Sequence, residues 1–181
     1  MPSHIDLDRT FWPFGDGEEY DPDTLRAKAE FGLNLMHWSD LLPMARVVIL
    51  AEAGTGKTHE LRETARRLHR EGKAAFFCHI EDLATDGLRK ALSEGKVEEV
   101  QSWLTGDHAA WFFLDSVDEA QLTNHRYFDR ALRELAQALG YAASRSHICI
   151  TARSVRAVCG RGRTRESAPG NRRSGWYHAS A

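Results

Sequence analysis

Lys57 and Thr58 close a run of small residues, Ala51-Glu52-Ala53-Gly54-Thr55-Gly56, that follows the apolar stretch Arg46-Val47-Val48-Ile49-Leu50. A triphosphate needs several backbone N–H groups turned inward at once, and glycines at 54 and 56 leave room for it and permit positive φ. At this spacing Lys57 reaches β- and γ-phosphate oxygens, and the Thr58 hydroxyl stands where Mg²⁺ is ligated at the first turn of a helix. Residues 52–58 (Glu52, Ala53, Gly54, Thr55, Gly56, Lys57, Thr58) are therefore read as a phosphate-binding loop. Ala51 replaces the first glycine of the usual pattern, a small departure.

Mg²⁺ held by a nucleotide needs an anionic anchor opposite the loop threonine. Asp115 is the candidate, because it ends the apolar run Ala110-Trp111-Phe112-Phe113-Leu114 and so falls at the carboxyl edge of a sheet, where open α/β folds bind ligands. Beyond it, Asp118 and Glu119 are equally placed to orient or deprotonate the attacking water, or to cap the next helix. Arg153, delivered by His147-Ile148-Cys149-Ile150-Thr151-Ala152, could contact the γ-phosphate or be an ordinary strand-end arginine.

The elements that carry these residues alternate. Leu61, Ala65 and Leu68 predict a helix after the loop, with Gly72 as its stop. Ala74–Ile80 predicts a strand covered on both faces, with His79 a satisfied histidine at its end. Helical patterns follow around Leu83 to Leu92 and through Val97, Val100, Trp103 and Leu104. Another, from about Asn124 to Leu139, carries Phe128, Ala131, Leu132 and Leu135 on one face. Before the loop, Phe11-Trp12-Pro13-Phe14-Gly15 reads as an irregular, packed lead-in, and Asp23 or Thr24 caps a helix to about Met36. Strands alternating with helices predict a parallel sheet between helical layers.

With 181 residues, 42% hydrophobic and 28% charged, the chain suits one globular domain, and its net charge of -2 argues against a whole-surface nucleic-acid binder. The N-terminus lacks the pattern of a signal peptide and no apolar run would span a bilayer, so the expectation is a cytoplasmic protein without membrane contact. Cys78, Cys149 and Cys159 are an odd set without metal-ligand spacing, and the first two read as core thiols.

The three motifs together resemble the NACHT type of STAND-class P-loop NTPases, through Leu50–Thr58, through Phe112-Phe113-Leu114-Asp115-Ser116-Val117-Asp118-Glu119, and through Ile148–Arg153. That family's acidic strand typically has Gly where Ser116 stands. The resemblance implies a three-layer sandwich of ASCE/STAND type in which the Arg153 strand lies between the loop strand and the Asp115 strand. It also implies ATP, with GTP the less favoured nucleotide, together with Mg²⁺, slow hydrolysis and a signalling switch that works through self-association or an effector. A role in bacterial defence against phage follows by analogy alone. Other readings are a remodelling motor of the AAA+ class, against which Ser116 stands where a catalytic Glu belongs, and a non-functional nucleotide-binding fragment.

The expected organisation is a lead-in over 1–37, a partial NTPase core over 38–153, and a basic tail over 154–181, disordered or frame-shifted. The tail has Arg156, Arg161, Arg163, Arg165, Arg172 and Arg173, no lysine and little apolar periodicity. It reads as the mark of a truncated larger protein, with the fold incomplete at its C-terminus; a basic arm for nucleic acid is the alternative.

Overall fold

The computed structural model describes residues 9–14, 35–51, 53–115, 125–153 and 174–179. In order these give β1 (Phe11–Phe14), α1 (Trp38–Leu41), β2 (Arg46–Ala51), α2 (Lys57–Arg70), β3 (Ala74–His79), α3 (Ile80–Asp86), α4 (Leu88–Ala91), β4 (Leu92–Glu94), α5 (Val97–Thr105), β5 (Ala110–Asp115), α6 (His125–Leu139), a 3-10 turn (Gly140–Arg145), β6 (Ser146–Arg153) and β7 (Ser174–Ala179). The strands form one sheet in the order β1-β7-β2-β6-β5-β3-β4. The five central strands are parallel, and β1 and β4 are antiparallel edges.

Strand residues alternate between two apolar clusters, which is why β3 and β5 are apolar throughout. Phe76, Cys78, Phe112, Leu114 and Ile148 face one cluster with Leu83 of α3, Trp103 of α5 and Leu135 of α6. Ala75, Phe77, Phe113 and Cys149 face the other with Leu61, Ala65 and Leu68 of α2 and Trp38 of α1. Burying each such leucine contributes roughly 1.5–3 kcal/mol, so the two layers hold the sheet between them. The helix after β2 lies on one face and the helix α6 that follows β5 on the other. In open α/β sheets the carboxyl ends of strands whose following helices take opposite faces are where ligands bind.

Several elements differ from expectation. Phe11–Phe14 is a strand rather than an irregular lead-in, with Phe11 and Trp12 buried. Pro13, which cannot donate to a ladder, is tolerated there because β1 is an edge. The helix expected from residue 23 or 24 lies outside the described residues up to 34. Its expected end, Met36, is instead extended and exchanges backbone hydrogen bonds with Phe11, at 2.8 and 2.9 Å. Leu92, read as the last residue of a helical pattern, instead opens the short edge strand β4 (Leu92–Glu94) beside β3. The largest correction concerns the tail. Residues 174–179 form β7, which pairs in parallel with β2 from Arg46↔Ser174 to Leu50↔His178, so a strand stands where none was expected. Trp176 and Tyr177 are strong strand formers, but they follow Arg172, Arg173, Ser174 and Gly175 without the apolar run that marks β2, β3 and β5. Residues 154–173, with most of the tail arginines, lie outside the described residues. Among the described residues no helix is long and apolar enough to cross a membrane.

Candidate functional site

β2 delivers the loop. Its last residue, Ala51, is fully buried and pairs in register with Arg153 of β6. As a strand residue it has no need of glycine's freedom, which explains why a methyl is accommodated there. Gly54 and Gly56 do need it, with φ of 77° and 79°. Gly56 is the N-cap of α2, so Lys57 and Thr58 occupy its first turn, where backbone N–H groups lack helical partners and the helix dipole favours an anion. The Lys57 ammonium donates to the Ala51 carbonyl at 3.0 Å, folding across the loop.

β5 delivers the carboxylate. Asp115 lies between the ends of β6 and β3, with Leu114 paired to Ile150 and Asp115 itself to His79. It is only 4% exposed, and a carboxylate so placed is costly without hydrogen bonds. Two hydroxyls supply them. Thr58 Oγ1 donates to Oδ2 at 2.6 Å and Thr151 Oγ1 to Oδ1 at 2.7 Å. The His79 ring stands alongside, Nδ1 3.6 Å from Oδ2.

A second set of contacts reaches the loop from the N-terminal side. Arg9, two residues before β1 and 8% exposed, donates Nη2 to the Thr55 carbonyl at 2.5 Å and Nε to Glu60 Oε2 at 3.1 Å. Glu60, on the first turn of α2, also accepts from Trp38 Nε1 at 2.8 Å.

The structure thus brings together Gly54, Thr55, Gly56, Lys57, Thr58 and Asp115, with Ala53 in the turn between. Arg153 ends β6 beside Ala51. Glu52, Asp118 and Glu119 lie outside the described residues, as do Ser116 and Cys159. Sequence reasoning missed Thr151, His79, Arg9, Glu60 and Trp38 as members of this constellation. Thr151 had a usable signal, since it sits two positions before Arg153 and so shares its side of the strand. Arg9 had none, being remote in sequence from Thr55 and Glu60. Cys78 and Cys149 are buried free thiols, as core packing requires. Burial, with a smaller contribution from Asp82, pushes the Cys78 thiol up to about 12, and burial raises Cys149 as well.

Among the described residues no group of three or more His, Cys, Asp or Glu side chains is arranged to hold a metal by itself. Asp115 and Thr58 offer two oxygen donors, which suits only a cation that brings its other ligands with it.

No protein-family description matches the chain and no curated protein matches it. Among solved structures, a chain in "Structure of E. coli MS115-1 HORMA:CdnC:Trip13 complex" is similar with a TM-score of 0.35 and 12% identity, over 76% of this chain and 52% of that one. This chain spans about half the length of that neighbour, and at such a score the likeness bears on neither fold nor function.

Proposed function

We propose that the chain binds ATP with Mg²⁺ between the loop at 52–58 and Asp115, and works as a slowly hydrolysing signalling switch of the NACHT/STAND type. The observation that carries this reading is the 2.6 Å hydrogen bond between Thr58 and Asp115, two residues 57 positions apart whose chemistry suits joint ligation of a metal. Further support comes from the sheet order, in which the Arg153 strand β6 lies between the loop strand β2 and the Asp115 strand β5. β7 on the far side of β2 adds a fifth parallel strand, as a P-loop sandwich of this type requires.

The residues fit Mg²⁺. Thr58 and Asp115 are hard oxygen donors held together, Asp115 buried and Thr58 open to solvent, and Mg²⁺ takes few protein ligands because it keeps water and phosphate oxygens. When bound, Mg²⁺ would neutralise charge on the β- and γ-phosphate oxygens. Lys57 gives up the Ala51 carbonyl for phosphate, a stronger acceptor. The loop N–H groups and the start of α2 bind the remaining oxygens. Thr151 fixes the far carboxylate oxygen of Asp115, leaving Oδ2 directed at the Thr58 side. Orienting water falls to Glu119 or Asp118, and contact with the γ-phosphate to Arg153.

Titration calorimetry tests this. The purified chain should bind MgATP, and more tightly than MgGTP. Lys57→Ala should weaken MgATP binding by about 100-fold, as expected for loss of a charge-assisted phosphate contact. Asp115→Asn should abolish the advantage of Mg²⁺ over EDTA. Unchanged MgATP affinity in the Lys57→Ala protein would overturn the assignment.

A further inference from the structure

The contact between Arg9 and Thr55 has a consequence for the loop's amides. A planar trans peptide points its C=O and N–H in opposite directions. Holding the Thr55 carbonyl from one side therefore aims the Gly56 N–H to the other. The hydrogen bond opposes a flip of this peptide, which would turn on ψ of Thr55 and φ of Gly56, and glycine accepts φ of either sign at little cost. Arg9 is itself held, since its Nε donates to Glu60, and Glu60 is fixed in turn by Trp38. The guanidinium is nearly buried and packs so close that a Cβ on Gly56 would stand 3.1 Å from Nη2.

We infer that Arg9 is a positioning residue of the nucleotide site, pinning the Thr55–Gly56 peptide so that its N–H is aimed at phosphate before any nucleotide arrives. This rests on the ATP-binding reading above and extends it: the segment leading into β1 becomes part of the site although it contacts no ligand. Arginine suits the task because its fork gives two donors in fixed directions, one for the loop carbonyl and one for the helix carboxylate. Lysine at this position keeps the charge but lacks the fixed fork that serves both acceptors at once.

The test uses the full chain and two variants, Arg9→Lys and Arg9→Gln, with two readouts. In ¹H–¹⁵N spectra without nucleotide, the Gly54 and Gly56 amides should shift or broaden in Arg9→Lys, while amides of β3 and β5 stay in place. By calorimetry, at a temperature where circular dichroism shows each protein folded, MgATP affinity should fall about tenfold in Arg9→Lys and further in Arg9→Gln. A role in stability alone would lower the melting temperature and leave the affinity of the folded protein unchanged. Loop amides that do not move, wild-type affinity in Arg9→Lys, or failure of both variants to fold would each overturn the inference. If the unaltered chain does not bind MgATP but its loop amides respond to Arg9→Lys, the pinning stands and the nucleotide reading is what fails.

Discussion

Asp115 has each of its carboxylate oxygens taken by a different threonine, and the two threonines come from opposite ends of the motif set. Thr58 begins α2 and Thr151 lies near the end of β6. Thr151 is 1% exposed, so its hydroxyl is committed to Oδ1 and the carboxylate can turn only by breaking that bond. Thr151→Val keeps the shape and removes the donor. Hydrogen bonds to charged groups contribute roughly 1.5–3 kcal/mol, and the variant should lose stability in that range. It should also bind MgATP less well while its affinity for ATP in EDTA changes little, because only the metal depends on where Oδ2 points. Equal losses with and without Mg²⁺ would reduce Thr151 to a packing residue. The strand ends at Ala51, Asp115 and Arg153 were legible in the sequence because each closes an apolar run, a local pattern. Thr151 was legible only through its spacing from Arg153 in the same strand, and His79 not at all, since a histidine at a strand end is ordinary until the neighbouring strand is known.

At the scale of elements, the apolar runs that announced β3, β5 and β6 also predict a pH response. Their alternation places Cys78 among the residues packed against α3 and Cys149 among those facing α2. Both thiols are favoured in the neutral form, Cys78 with its value near 12 against about 8.5 in an unfolded chain. Between these values the unfolded state binds fewer protons than the folded one, so stability is complete below about pH 8.5 and declines as pH rises. The slope approaches about 1.4 kcal/mol per pH unit for each thiol. Urea unfolding between pH 7 and 10 should show this decline, and Cys78→Ala, though less stable throughout, should show a shallower one. Parallel slopes in the two proteins would mean that the Cys78 thiolate is tolerated in the core. Elements without a long period were the ones misread. Three-residue β4 and four-residue β1 are too short for alternation to declare itself, and each exists because a neighbouring strand offers it a ladder.

Across the whole molecule, the site depends on a chain of edges. β2 carries the loop, β7 pairs with β2, β1 pairs with β7, and Arg9 enters from the start of β1 to hold Thr55. The last strand in sequence therefore lies between the first strand and the loop strand, linking residues that sequence reading had treated as a lead-in and a discarded tail. No local pattern could reveal this, because the information is in which backbone edges meet. A protein ending at residue 153 removes β7 and leaves one edge of β2 without its ladder, while among the described residues β1 keeps the Phe11–Met36 bridge. An unpaired edge of that kind promotes association between chains. Without β7 to hold β1, Arg9 loses its fixed approach to Thr55. The shortened protein should therefore elute earlier than expected for its mass in gel filtration. Its MgATP affinity should fall about tenfold, as for Arg9→Lys, because the same peptide has been released by a different route. Introducing Arg9→Lys into it should then cost little more. An elution volume and affinity matching those of the full chain would show that β1 and Arg9 hold their places without β7, and that the site is complete within the first 153 residues.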